Sequence, residues 1–216
     1  LREKMKKIIA IVSSFLFFTI VTAQAESQLG FGVTGAYHMI EGSGSETTRQ
    51  SGQVNNGSHD ENVVVPEVFV EILNDEGYAL GLSYIPTRDV GSKSRSDTNS
   101  EGDTGTYKAA AELDNVFKLY TDVPMGSLGG STSYFTLGLQ HVTLSTLESL
   151  NSGSAYPNKD LWGYSIGLGA KGDLPYGTLY YKGEVAYTNF GTYEAIASGN
   201  TVKADLEDIA AKFSIG

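Results

Sequence analysis

Residues 162–171 read Trp-Gly-Tyr-Ser-Ile-Gly-Leu-Gly-Ala-Lys, and their pattern is the clearest indication of the fold in this chain. Every second residue from Trp162 to Ala170 is aromatic or apolar, while the residues between them are glycine, serine or lysine. Because alternate side chains of a strand point to opposite faces, the pattern predicts a β-strand with one large apolar face and one small or polar face.

The same alternation recurs along the chain, at residues 29–39, 64–73, 78–84, 113–123, 135–140, 179–187 and 209–215. Long polar stretches and short turns separate these segments in strict alternation. The long ones are predicted loops at 41–62, 87–105, 145–160 and 191–201; the short ones are 74–77, 124–131 and 172–177. Only the beginning of the last strand, at 204–207, breaks the pattern. This irregularity predicts either a β-bulge there or a strand that begins outside the membrane.

Residues 1–25 have the pattern of a signal peptide with upstream residues. Met5-Lys6-Lys7 is a basic start, residues 8–21 are mostly apolar, and Ala23-Gln24-Ala25 is a cleavage pattern. A membrane anchor is the alternative, but the apolar run is shorter than the ~20 residues of a spanning helix. We therefore expect cleavage near Ala25 and a single domain over residues 26–216.

Composition narrows the class of protein further. No later segment is apolar for long enough to be a spanning helix, which excludes a helical membrane protein. Removing four basic residues and one acidic residue with the leader changes the net charge from −10 to −13. This charge argues against a nucleic-acid partner. With 0 cysteines, an exported chain depends on its backbone ladders and packing rather than on disulfides.

Long loops at one end and short turns at the other indicate an antiparallel up-and-down transmembrane β-barrel of about eight strands. In such a barrel the apolar faces meet lipid and the interior is polar, whereas a soluble lipocalin-like carrier, the structural alternative, reverses the two faces. The predicted aromatic girdle contains Phe31, Tyr37, Tyr78, Tyr84, Phe135, Trp162 and Tyr187. The predicted lumen charge network contains Glu67, Glu71, Glu112, Asp114, Lys118, Lys171, Lys182, Glu184, Asp208 and Lys212.

The side chains of this interior and its loops suggest three kinds of chemistry. The inward charges either pair as a structural plug or line a narrow pore. A lipid-modifying enzyme needs a histidine beside a serine and an acid. His38 is predicted near the rim of the lumen, His59 in a loop and His141 on the lipid side, and none has a close serine pairing. The run Asp97–Asp103 only loosely matches a Ca²⁺ loop, so solvated acidic loops are favoured.

The leader, the eight alternating segments and the long outer loops resemble small bacterial outer-membrane barrels, the OmpA-type membrane domain and the opacity-like surface proteins. This resemblance covers most of residues 26–216 and carries no catalytic residues. Those families usually end on an aromatic residue, whereas this chain ends Phe213-Ser214-Ile215-Gly216 and begins without methionine. We therefore expect a fragment or an approximate reading frame.

The resemblance and the pattern together predict a monomeric, non-enzymatic protein of the bacterial outer membrane. Its expected role is structural or surface-interacting, through acidic extracellular loops. Its expected partners are outer-membrane lipid and lipopolysaccharide, with divalent cations at the loops. No cofactor and no dedicated metal site are expected. A small-solute pore, a lipid A-modifying enzyme and a soluble carrier remain as alternatives.

Overall fold

The computed structural model describes residues 27–49, 51–98, 104–149, 156–197 and 199–216, and every regular element in them is a β-strand. The predicted signal peptide lies outside these residues. The strands are β1 (Ser27–Thr47), β2 (Val54–Asn74), β3 (Ala79–Ile85), β4 (Arg88–Thr98), β5 (Thr104–Leu128), β6 (Ser131–Ser149), β7 (Lys159–Asp173), β8 (Tyr180–Ala197) and β9 (Asn200–Ile215). No helix in the described ranges is long and apolar enough to cross a membrane.

The nine strands form one closed antiparallel ring with eight places. Each strand pairs with its neighbours in sequence, and β9 pairs with β1. Both β3 and β4 pair with β5, because Pro86 and Thr87 interrupt what is otherwise a single strand. The predicted class, an up-and-down barrel of about eight strands, is confirmed.

The two ends of the barrel differ in structure, and the end with the predicted long loops is corrected, because most of those residues are in strands. At the turn end, strands are joined by residues 75–78, 129–130 and 174–179, and both Ser27 and Gly216 lie there. At the opposite end, which we call the arm end, most of the predicted loop residues are strand. β1 and β2, for example, stay paired as far as Thr47 and Val54. The polar composition marked loops, whereas cross-strand hydrogen bonds extend the sheet through these residues.

The outward face of the barrel carries a broad apolar belt. Leu29, Phe31, Val64, Leu168 and Val185 each expose 58% or more of their surface. A soluble barrel would bury these side chains and leave polar ones outside. The phase of the alternation therefore excludes the lipocalin-like arrangement of faces.

A β-bulge in β5 reverses part of the predicted phase. The β5–β6 register shifts between Asp114 and Phe117, and Asn115 adopts a φ of 51°. On the N-terminal side of this extra residue, Leu113 points inward and is fully buried. On its C-terminal side, Phe117 points outward and is exposed. The prediction that Glu112 and Asp114 face the lumen is therefore wrong, because strict alternation was extended across the bulge.

A second bulge lies in β8, where the register with β9 shifts between Asn189 and Thr192. The irregularity expected in the early part of the last strand is thus carried by its partner, at Gly191 with a φ of 73°. β9 itself pairs continuously with β1 from Thr201 to Ile215.

The interior has two layers, whereas a polar interior alone was predicted. The layer nearer the arm end is apolar and includes Leu113, a residue expected to face lipid. Its buried members are Ile40, Val65, Ile85, Leu113, Val116, Val142, Leu144, Leu161, Phe190, Tyr193, Ala195 and Leu206. The layer nearer the turn end is polar and ionic, so the barrel has an apolar core above an ionic one.

Candidate functional site

The ionic layer is the most chemically elaborate part of the barrel. Of the ten side chains predicted for the lumen, the structure places eight inside, namely Glu67, Glu71, Lys118, Lys171, Lys182, Glu184, Asp208 and Lys212. They come from five strands, and glycines on the inward phase make room for them. Gly81, for instance, lies against the ring of Tyr120, where a Cβ atom would clash.

Lys182 forms the centre of this layer. Its Nζ lies 2.8 Å from Oε2 of Glu71 and 2.8 Å from Oδ2 of Asp122. Glu71 also accepts hydrogen bonds from the hydroxyls of Tyr120, at 2.6 Å, and Tyr180, at 2.8 Å. These charge-assisted hydrogen bonds satisfy both oxygens of the buried Glu71 carboxylate.

A second group links β9, β2 and β1. Lys212 donates to both oxygens of Glu67, at 2.8 and 3.1 Å. His38 lies between two carboxylates, with Nδ1 2.8 Å from Oδ2 of Asp208 and Nε2 3.4 Å from Oε1 of Glu67. Arg88 approaches the same Asp208 oxygen at 3.6 Å. This group lies directly beneath the apolar layer.

The ionic layer is electrically balanced. With His38 counted as neutral, its ion pairs join five carboxylates to five lysine or arginine side chains, with Lys118 near Glu184 at 3.5 Å and Lys171 near Asp122 at 3.3 Å. Aromatic rings fill the space around the ammonium groups, and the Lys182 Nζ lies 4.8 Å from the ring centre of Tyr120. Balanced, paired and packed charges are typical of a structural plug rather than of an ion-attracting channel.

The described residues of the ionic layer enclose one small cavity. The cavity between Glu67, Lys118, Lys182 and Glu184 has a volume of ≈ 30 Å³, which holds about one water molecule. Above it, Phe190 and Leu113 are fully buried in the apolar layer. The arrangement therefore closes the lumen with two chemically different layers.

The three histidines lie in different surroundings. His38 is 1% exposed and hydrogen-bonded to Asp208, so it is sealed from solvent. His59 lies in β2 rather than in a loop, at 3.4 Å from Glu61. His141 faces outward, as expected, and packs edge-on against Trp162 at 4.9 Å between ring centres. In the described ranges, no group of three or more His, Asp or Glu residues is arranged to hold a metal ion.

The predicted girdle residues lie on the outer face but in different surroundings. Phe31, Tyr37, Tyr84 and Trp162 are exposed, whereas Tyr78, Phe135 and Tyr187 are half-buried. The register aligns a row across four adjacent strands, and this row includes a member that was not predicted, Phe117. Its rings are those of Tyr84, Phe117, His141 and Trp162, and the first two have centres 5.2 Å apart.

Carboxylates follow the apolar belt at the arm end. Glu41 of β1 lies directly opposite Asp60 of β2 on one side and Glu207 of β9 on the other, and all three side chains point outward. On the far side of the barrel, Glu112 is paired in register with Asp89. Partial desolvation, and then the nearby carboxylates of Asp114 and Asp89, raise the pKa of Glu112. We call these residues the acidic collar: Glu41, Asp60, Asp89, Glu112, Asp114 and Glu207.

Two interior charges were missed by the sequence prediction. Asp122 was assigned to the inward face but not to the charge network, and Arg88 falls in a stretch predicted as a loop. The Arg88 side chain is fully buried and its guanidinium has no hydrogen-bond acceptor within the described part of the chain. The only signal for Arg88 was its position just after Pro86-Thr87, where a strand could have resumed. The predicted Ca²⁺-like run Asp97–Asp103 lies almost entirely outside the described residues.

Comparison with known proteins gives remote structural matches only. No family model and no curated protein sequence matches the chain. It is similar to OprG of Pseudomonas aeruginosa, an outer membrane protein, at 14% identity over 85% of this chain and 95% of that one, with a TM-score of 0.45. Neisserial surface protein A matches at 8% identity over 86% and 98%, with a TM-score of 0.40. Ail of Yersinia pestis, in complex with the heparin analogue sucrose octasulfate, matches at 10% over 84% and 98%, with a TM-score of 0.34.

Proposed function

We propose that this protein spans the outer membrane of a Gram-negative bacterium as a monomeric barrel, with its turn end in the periplasm and its arm end outside the cell. The exposed apolar belt supports this placement, because soluble monomers rarely expose so large an apolar surface to water. The row of aromatic rings beside the belt and the acidic collar beyond it have the order expected at a lipid–water boundary.

Its role is non-enzymatic and structural, with the arm end acting as an interaction surface. The observation that carries this proposal is the closed interior, where charges pair with each other and an apolar layer lies above them. A plug of this kind stabilises a barrel and offers no path for a solute. A lipid-modifying activity is not favoured, because the histidine with the best carboxylate partner, His38, is buried beneath the apolar layer.

At the boundary itself, lipopolysaccharide is the proposed lipid partner. The acidic collar repels phosphate groups directly, so contact between the two would need divalent cations shared between them. Glu41, Asp60 and Glu207 supply adjacent carboxylates on the outward face for such sharing. Removing divalent cations with a chelator should therefore weaken the association with lipopolysaccharide while leaving the barrel folded.

Two measurements test the proposal. The chain, expressed with its leader, should fractionate with outer membranes and run with a heat-modifiable mobility on gels. Recovery in the soluble periplasmic fraction would contradict the placement. Purified protein in a planar bilayer should give no conductance steps above background. Regular steps would contradict the closed interior and favour the pore.

A further inference from the structure

The outer arm of β2, residues 54–64, is an incomplete part of the barrel wall. On one side it pairs with β1 along its whole length. On the other side, the ladder between β2 and β3 extends only from Leu73 to Val68, where Val68 faces Tyr84. β4 continues beyond β3 but pairs with β5 alone. Above Val68, two strand edges therefore face each other without a ladder between them.

The register shows which backbone groups are left over. The Asn74 N–H donates to the carbonyl of Tyr78, on the β3 side, so even-numbered residues of β2 point their backbone groups away from β1. The other end of the strand agrees, because the carbonyl of Gln53, an odd-numbered residue, accepts from Thr48 of the β1 side. Pro66 is even-numbered and has no N–H, which explains why the ladder with β3 ends next to it.

The edge of the outer arm is thus formed by Val54, Asn56, Ser58, Asp60, Asn62 and Val64. Residues 54–60 are all exposed. Natural edge strands are usually blunted by lysine, proline or a bulge. The opposite edge has all three, at Lys93, at Pro86 and at the shift between Asp89 and Gly91. Residues 54–64 contain no lysine, arginine or proline, and their only charged side chains are Asp60 and Glu61, so this edge is the less protected one.

We propose that the outer arm of β2 binds an extended, basic polypeptide segment of another protein by β-strand addition. Main-chain hydrogen bonds to the free edge would supply affinity, as in other cases of strand addition. Asp60 and Glu61 on the arm, together with the strongly acidic chain, favour lysine or arginine in the partner. A second copy of this chain is disfavoured, because antiparallel pairing of two arms would bring acidic strands together.

His59 limits how far such a segment can reach. Its ring crosses the gap and contacts Gly91, filling the place that a side chain there would occupy. The ring is 46% exposed, and its one ion-pair partner among the described residues is Glu61, so it can swing away. A bound segment would first pair near Asn56 and Ser58, and displacement of the ring would extend the pairing toward Asn62.

The proposal rests on the proposed function only in placing the arm outside the membrane, and its test does not need a membrane. The probe is an eight-residue peptide of alternating lysine and threonine, added to the full barrel in detergent micelles. Affinity is measured by fluorescence anisotropy, and the contact is located by hydrogen exchange of backbone amides. We expect protection at Ser58 and Asp60, and weaker binding when glutamate replaces lysine in the peptide.

Ser58→Pro is the decisive variant, because it removes an N–H that points away from β1 and so spares the barrel ladder. We expect it to weaken binding about tenfold, the loss of one or two net hydrogen bonds. Ser58→Thr keeps the N–H and should bind like the parent. His59→Ala should bind more tightly. A heat-modifiable mobility shift checks that each variant is folded.

A second measurement needs no protein variant and uses the same peptide with N-methyl groups at alternate amides. It should bind at least about tenfold more weakly than the unmethylated peptide. Equal affinity of the two peptides, equal affinity of Ser58→Pro, or protection confined to residues outside 54–64 would overturn the proposal. Concentration-dependent dimerisation through these residues would overturn it in favour of a second copy. Periplasmic fractionation would instead contradict the proposed function alone.

Discussion

Lys212 of β9 reaches across β1 and holds both carboxylate oxygens of Glu67 on β2, at 2.8 and 3.1 Å. The pair joins two strands that are not neighbours in the ring. Both side chains are at least nine-tenths buried, so each neutralises a charge that water cannot reach. The contact links the strand that closes the barrel to one of the first strands of the chain.

Breaking this pair from one side should destabilise the barrel strongly. Lys212→Met leaves the buried Glu67 with His38, at 3.4 Å, as its remaining ion-pair partner among the described residues, and such a loss costs about 3–5 kcal/mol. The double variant Lys212→Met with Glu67→Met removes both charges and should recover much of that loss. Denaturant unfolding in detergent, followed by the gel mobility shift, measures both. The exposed pair of Lys203 and Glu194, 3.1 Å apart, is the control, and Lys203→Met should cost less than about 1 kcal/mol. Equal losses at the two sites would refute the burial argument.

The bulge in β5 can be tested by labelling, since the chain has 0 cysteines and any introduced thiol is unique. Glu112→Cys should react readily with a water-soluble maleimide because residue 112 faces outward. Leu113→Cys should react only after unfolding, because Leu113 is fully buried in the apolar layer. Rapid labelling at 113 with protection at 112 would mean that the uninterrupted alternation was right and the bulge wrong.

The apolar belt makes a prediction about the lipid face. Leu168 is 59% exposed on the belt, so Leu168→Arg should cost about 2–4 kcal/mol in a bilayer. Glu41→Arg, placed beyond the belt, should cost about 0–1 kcal/mol. Unfolding in lipid vesicles compares the two. If both variants were neutral, the belt would not be in contact with hydrocarbon.

Interior glycines should be intolerant of even a methyl group. A Cβ atom at Gly169 would press against the ring of Tyr134 and the carbonyl of Gly183, so Gly169→Ala should cost about 1–3 kcal/mol. Gly35 faces outward with nothing within 4 Å of the Cβ position, and Gly35→Ala is the matched control. We expect the control to unfold at the parent's denaturant midpoint or slightly above it. A midpoint unchanged in Gly169→Ala would indicate a looser interior than the contacts imply.

We predict that the stability of the barrel depends on pH through Glu112, a member of the acidic collar that lies beyond the belt. Its raised pKa means that the folded barrel binds the proton more tightly than the unfolded chain. The associated stability is complete at low pH and is lost as pH rises through the folded pKa. Glu112→Gln should therefore raise the thermal midpoint at pH 7, and the gain should vanish toward acidic pH. Asp160→Asn is the contrasting variant, because Asp160 accepts a hydrogen bond from Thr143 at 2.8 Å and should lose stability at pH 7. A gain for Glu112→Gln that persists at acidic pH would contradict the electrostatic explanation.

The alternation of apolar residues with small or polar ones was enough to predict most of the fold. The stretch from Trp162 to Lys171 predicted a strand with an apolar outer face, and Ile166 and Leu168 are indeed exposed while Ser165 and Gly167 are buried. Eight strands and their antiparallel order followed from the turns. This succeeded because a strand has a fixed side-chain period, so composition on each phase is a local property of the chain.

Local pattern could not locate the places where that period slips. A single extra residue at Asn115 exchanges the faces of Glu112 and Leu113, and the alternation on either side of it does not mark the change. Polar residues beyond Ile40 looked like a loop, yet hydrogen bonds to β2 and β9 keep them in strand. In both cases the outcome depends on partners far away in sequence.

The class of the protein can be inferred from the sequence: strands of alternating character, an apolar face for the outside, small and charged residues for the inside, and a predicted export signal. Which charges form pairs depends on the tertiary structure. Lys212 and Glu67 are 145 residues apart and become partners only because the register of β9 and β2 on β1 aligns them. The free edge of the β2 arm is likewise a property of the ring, since an edge exists only where no neighbouring strand completes the ladder.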